Sequence, residues 1–370
     1  MMNPKFAPLF TPYTLNNGVT IKNRLVVAPM THWASNDDGT MSEPERHFLQ
    51  GKANGFGLFI SAATLVHSKQ GKAFEGQPYA FAEHHLPSLR QVADLARQGG
   101  AKAVLQIHHG GAKAITDNAV APSATENARE LSAPEIDELV QAFAFTAKLA
   151  IRAGFDGVEI MGCNGFLIQQ FSSRQTNRRT DKWGKPSAFP LAVTQAVIAA
   201  REQAGRPDFI IGYRLSPEEA GGDGLTMADT LDLLDKLAEL PIQYLHVSLW
   251  DFDKKARRGA DTSRTRMDLL HERLNGRLPL IGVGNLRTPQ RMLEAFKTGW
   301  AEFLALGKAV LMNPDLVHKL QNGQEATIQT EVDLAQPDCY RFPERLWAMQ
   351  QKGLAFLPPN KGSDWQPVDL

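Results

Sequence analysis

Glycines stand at two places late in the chain, Gly282-Val283-Gly284-Asn285 and Gly307-Lys308, the second with a cation beside it. Glycines bare backbone N–H groups, a following helix N-terminus favours negative charge, and Lys308 adds a point charge, so the two segments together suit a phosphate. The competing reading is that Gly284 and Gly307 merely end strands. Arg214 closes the apolar run Phe209–Arg214. A charge at the end of a buried strand needs a partner, either an anionic ligand or a carboxylate from a neighbouring loop. His108 and His109 follow the run Ala103–Ile107. Side chains alternate along a strand, so His108 shares a face with Gln106 while His109 points to the other side. The same alternation argues against His84-His85 and His108-His109 as metal pairs, since no third ligand stands at a fixed spacing. No metal is expected. Cys163 reads as a small buried hydrophobe rather than a nucleophile.

Composition narrows the function classes. The 370 residues include 40 basic and 40 acidic side chains, for a formal net charge of zero. Nucleic-acid binding would show a basic excess or stripe, so no nucleic-acid partner is expected. No apolar run approaches the length of a membrane span, about 18 residues. The first residues, Met1-Met2-Asn3-Pro4-Lys5-Phe6, lack the apolar stretch of a signal peptide. Cys163 and Cys339 are too few for an iron–sulfur cluster, which takes about four thiolates. They are also too few for a disulfide framework. The expectation is a cytoplasmic protein with a sizeable core, since 43% of residues are hydrophobic.

These residues need elements to position them. Short apolar runs recur at Leu25–Ala28, Gly57–Ala62, Ala103–Ile107, Gly157–Met161, Phe209–Arg214, Tyr244–Ser248, Leu278–Val283 and Glu302–Leu306. Continuous runs of this kind suit strands buried on both faces of a parallel sheet. Helical patterns fill most of the gaps. Ser132-Ala133-Pro134-Glu135 predicts a capped helix start, followed by Ile136, Leu139, Val140, Phe143 and Ala147 on one stripe. Thr288-Pro289 predicts another. Eight such units suggest an α/β fold, a (β/α)₈ TIM barrel over residues 1–330, with residues 331–370 as a C-terminal tail packed on it. A doubly wound sheet would carry Gly-x-Gly-x-x-Gly after its first strand, and none stands there. In a barrel, function sits where strands end.

Taken together, the strand ends resemble one family, the Old Yellow Enzyme group of FMN-dependent ene-reductases. The matching segments are Leu9-Phe10-Thr11-Pro12, Lys22 to Met30, Gln106-Ile107-His108-His109-Gly110-Gly111, Ala153 to Ile160, Asn164-Gly165-Phe166-Leu167-Ile168, Asn177-Arg178-Arg179-Thr180-Asp181 and Arg214-Leu215-Ser216, in the family's order. The resemblance implies FMN across the barrel mouth, reduced by NADH or NADPH. It implies that Pro29, Met30, Thr31 and Ala63 line the flavin. Gln106 would bond its pyrimidine edge, with Arg214 near N1 and C2=O. Gly284, Asn285, Gly307 and Lys308 would hold the phosphate. Arginine is usual at the last position; lysine keeps the charge but loses the bidentate fork.

Two departures stand out. The family polarises its substrate carbonyl with a His/Asn or His/His pair and protonates with a tyrosine. Here Asn164 keeps the second place of the pair, but Met161 and Phe166 replace the histidine and the tyrosine. Methionine sulfur is at best a weak acceptor, and phenylalanine has no proton to give. Losing such a donor costs roughly 10²–10³ in rate, and losing a general acid roughly 10²–10⁴. His108 and His32 are the candidate replacement donors, and Trp33, Tyr79 and Trp250 candidate pocket walls. The reading is an NAD(P)H-dependent FMN oxidoreductase that reduces an activated, enone-type alkene by ping-pong hydride transfer. The alternatives are a flavin-dependent quinone, nitro or oxygen reductase, and a low-turnover flavin-binding protein. The partner is a small-molecule electron acceptor; a homo-oligomer is open.

Overall fold

The computed structural model describes residues 2–67 and 69–366. Eight parallel strands form the frame: β1 (Leu25–Val27), β2 (Leu58–Ile60), β3 (Lys102–His108), β4 (Gly157–Gly162), β5 (Ile210–Leu215), β6 (Tyr244–Val247), β7 (Leu280–Gly282) and β8 (Phe303–Leu306). Each pairs with the next, and β8 returns to β1 through Leu304↔Leu25, so the sheet closes. Closure makes this a (β/α)₈ barrel and removes the doubly wound alternative. Every predicted run is a strand, with ends within two residues of those expected.

Two apolar layers hold the frame. Inside the barrel, Val26, Leu58, Val104, Ile210, Ile281 and Phe303 pack with Leu15 and Ile21. The last two belong to a hairpin of Tyr13–Thr14 with Thr20–Ile21, and Tyr13 meets Phe303 edge-on at 5.3 Å between ring centres. The hairpin thus plugs one end and leaves the strand C-termini as the open mouth. Outside, helices cover the strands. The helix Ala133–Ala153 starts as predicted: Ser132 Oγ accepts from the Glu135 N–H, and the Glu135 carboxylate accepts from the Ser132 N–H at 2.8 Å. Its predicted stripe is buried. Complete burial of a side chain such as Phe143 contributes about 1.5–3 kcal/mol.

Of the expected tail, residues 331–366 fold back over the mouth; residues 367–370 lie outside the described residues. Gln350 Nε2 donates to Pro358 O at 2.8 Å and to Asn360 Oδ1 at 2.7 Å. This clasp brings Phe356 to 6.2 Å from Trp33 and sets Trp365 beside Arg287 and Lys308. No helix among the described residues is long and apolar enough to cross a membrane.

Candidate active site

The floor of the mouth is a buried polar network. Strand register sets Gln106 opposite Glu159, and Gln106 Nε2 donates to Glu159 Oε1 at 2.7 Å. The other carboxylate oxygen accepts from Tyr244 Oη at 3.1 Å and lies 2.9 Å from His246 Nδ1. Glu159, Tyr244 and His246 are all fully buried. Gly212 makes this reach possible, because a Cβ there would lie 2.0 Å from the Tyr244 ring. Burial pushes the Glu159 carboxyl up, but His246, Arg214 and Gln106 outweigh it and hold it below its ordinary value. Burial holds His246 below its usual value despite that carboxylate, so the ring is neutral and its Nδ1–H donates.

Arg214 stands one level higher, in register with Met161 on β4 and His246 on β6. Its Nη2 donates to Ser248 Oγ at 3.1 Å, and that hydroxyl donates to Asn164 Oδ1 at 2.8 Å. Asn164 is thereby turned so that its amide nitrogen is left to donate elsewhere. Its backbone is left-handed, φ 60°, a conformation asparagine tolerates better than most residues. Arg214 Nε is buried with no partner. Of the two sequence readings for Arg214, the ion pair with a loop carboxylate is not what the side chain makes; it bonds a hydroxyl and keeps an unused donor.

Beside this lies a small apolar cluster of Ala63, Met161 and Cys163, with Phe74 and Phe166 packed against it, which would wall a substrate recess. Burial pushes the Cys163 thiol up to about 11, so it stays protonated, as a small hydrophobe should. His108 borders the recess, its ring edge-to-face with Phe166 at 4.5 Å. Burial holds His108 down to about 3, so it is neutral at physiological pH. Its Nε2 is buried and unpartnered. His109 points away, as alternation required, and its Nδ1 accepts from the Gly111 N–H.

The other end of the mouth is a cationic cradle. Gly284 has φ 131°, and a Cβ there would meet the Asp251–Phe252 backbone at 2.5 Å, so only glycine fits. Asn285 Oδ1 accepts from Arg287 Nε at 2.9 Å. A Cβ on Gly307 would find only ordinary contacts, 3.7 Å from Ala28 and Met30. Burial and the neighbouring Arg287 guanidinium lower Lys308 to about 8. Lys308 Nζ lies 5.2 Å from the Trp250 ring and 5.4 Å from Trp365, and Arg287 lies 4.7 Å from Trp365. Pro29, Met30 and Thr31, half-buried at the end of β1, and buried Ala63 after β2 stand between the two ends.

Three expectations about side-chain placement are corrected here. His32 does not overhang the mouth. It is buried, 3.2 Å from Glu45 Oε1, and its Nδ1 accepts from the Ala34 N–H, so it braces the loop after β1. Tyr79 does not line the recess; it is buried against Phe81, His85 and the bare backbone of Gly39. Trp250 flanks Lys308 at the cationic end instead of walling the recess. Trp33 does sit at the mouth, between Phe74 and Phe356. Sequence reasoning missed Glu159, His246, Ser248, Gln77, Arg287 and Trp365. Glu159 and His246 had a signal, being charged or polar residues inside apolar strand runs. Arg287 and Trp365 had none, since only folding brings them to Lys308.

A parallel barrel with a cation-lined glycine cradle after β7 and β8 belongs to the class of barrels that hold a phosphate-bearing cofactor at the strand C-termini. Residues 8–327 match the NADH:flavin oxidoreductase / NADH oxidase family, and the chain belongs to this family, the Old Yellow Enzyme family of NADH- or NADPH-dependent FMN oxidoreductases. It is 44% identical to the probable NADH-dependent flavin oxidoreductase YqiG of Bacillus subtilis (strain 168), over 94% of this chain and 96% of that one. It is 33% identical to the NADH:acrylate oxidoreductase of Vibrio harveyi over 92% of this chain, but spans only 36% of that protein. The fold superposes on the old yellow enzyme homologue from Zymomonas mobilis with a TM-score of 0.75, at 23% identity, over 90% of this chain and 99% of that one.

Proposed function

We propose that this chain takes hydride from NADH or NADPH and passes it to an electron-poor, oxygen-bearing alkene held in the Met161–Phe166 recess. FMN, when bound, supplies the ring that accepts and then donates the hydride. The residues at the mouth suit it. The unpartnered Arg214 Nε and the Gln106 amide, whose nitrogen is committed to Glu159, offer one donor and one acceptor for the pyrimidine edge. Pro29, Met30, Thr31 and Ala63 would line the ring. Gly284, Asn285, Gly307, Lys308 and Arg287 would hold the phosphate.

Asn164 and His108 then hold the acceptor's oxygen. Neither is an acid: an amide does not give up its proton, and the His108 ring is neutral. Phe166 has no proton to give. We assign the proton that completes alkene reduction to water. The observation that carries the reading is the unpartnered, buried His108 Nε2 beside a recess of otherwise apolar walls.

The absence of an acid from both Phe166 and Met161 favours one second reading, a quinone or nitro acceptor whose reduced form collects protons from solvent. Anaerobic reduction of the flavin by NADH and by NADPH, then reoxidation with a panel of enones, unsaturated carboxylates, quinones and nitro compounds, separates the two. Rapid reoxidation by quinones alone would replace the alkene.

A further inference from the structure

Gln77 lies on the loop after β2, fully buried, and touches three groups. The Ala73 N–H donates to its Oε1 at 2.8 Å. Its Nε2 donates to Ala63 O at 3.1 Å and lies 3.0 Å from His108 Nδ1. The first two partners are backbone groups of opposite polarity, and each accepts only one end of an amide. They therefore fix which end of the Gln77 side chain is nitrogen. One amide hydrogen goes to Ala63 O, and the second points at His108 Nδ1.

A ring nitrogen facing an N–H must accept. His108 Nδ1 therefore carries no proton, and the neutral ring carries it on Nε2. That nitrogen is the one left buried and unpartnered beside Phe166. We propose that Gln77 is a positioning residue that locks His108 in its Nε2–H tautomer, so that the recess presents one hydrogen-bond donor to an acceptor oxygen. The inference rests on the substrate-facing role given to His108 above. With the other tautomer, His108 would meet that oxygen with a lone pair, and only Asn164 would be left to donate to it.

The ¹⁵N shifts of the His108 ring in the FMN-loaded protein test the lock directly. The signals are assigned by their loss in His108→Phe. In the unaltered protein, Nε2 should appear protonated and Nδ1 unprotonated over the neutral pH range. A protonated Nδ1 there overturns the proposal without any variant needing to fold. In Gln77→Met the two tautomers should mix, and in Gln77→Glu, whose carboxylate accepts, Nδ1 should become the protonated atom. Unchanged shifts in both variants also overturn it. Alongside, kcat/KM for an enone should fall tenfold or more in Gln77→Met, mostly through KM. A tautomer change with unmoved enone kinetics supports the lock, and overturns instead the role given to His108.

Discussion

Gln106 donates its side-chain amide to Glu159 across adjacent strands at 2.7 Å, deep in the barrel. Glu159 is the hub, since Tyr244 and His246 converge on its other oxygen. Glu159→Gln keeps the shape but replaces one accepting oxygen with an N–H₂ group, so at least one of the three donors loses its acceptor and faces another donor. Stability should fall by about 1–3 kcal/mol, and FMN should be held more weakly as Gln106 loses its anchor. Urea midpoints and flavin-fluorescence titration read both. Equal values in the two proteins would leave Glu159 without this role.

Buried neutral histidines make stability depend on pH. His108 is held at about 3, and His109 and His246 also lie below their usual values, first because of burial. The unfolded chain binds more protons below about pH 6.5, the ordinary histidine value, so folding stability rises with pH through this range. Their contribution is full above about pH 6.5 and is lost as pH falls toward the folded values. Glu159, held low, adds a loss of its own only below the carboxylate range. Thermal midpoints should drop steadily from pH 7 to pH 5, and His108→Leu should flatten that slope. A slope of the same size in the variant would remove His108 as a source.

Phe166→Tyr places a hydroxyl on a half-buried ring that already faces Lys113 Nζ at 5.5 Å. One added hydroxyl at a partly open site should fit with little strain. If the acceptor is an alkene, its reduction should speed up at least tenfold, most for weakly activated substrates, because an enzyme acid replaces water. Flavin reduction by nicotinamide needs no such proton and should change little. Stopped-flow measurement of each half-reaction decides, and a flat oxidative half-reaction argues for the quinone or nitro reading.

Lys308 and Arg287 stand together at the cationic end of the mouth, with Trp365 lying against both, and are proposed above to hold the FMN phosphate. Losing a charge-assisted bond costs about 1.5–3 kcal/mol, so Lys308→Ala and Arg287→Ala should each weaken FMN roughly tenfold or more. Riboflavin lacks the phosphate, and its affinity should not move. Equilibrium dialysis with both ligands gives the contrast. Similar losses for the two would place these cations elsewhere on the cofactor.

Local pattern alone determined the frame. Apolar runs buried on both faces, the Ser132 cap and the spacing of strand ends are local facts, because strand periodicity and capping depend on near neighbours. The position of Gln106, Arg214, Gly284 and Lys308 at or beside the mouth was legible for the same reason, each standing at or near the end of a recognisable run. What tertiary structure decided is which way each side chain turns once the chain leaves the strand. His32 turned in because Glu45, thirteen positions on, offered a buried partner. Tyr79 turned in because Gly39 left room for its ring. Arg287 and Trp365 reached Lys308 only when the loop after β7 and the C-terminal tail folded over it. Gln77 could set the state of His108 only after two backbone groups, Ala73 N–H and Ala63 C=O, had been placed on either side of it. A buried polar group must find its partner in space, and sequence distance does not say where that partner is.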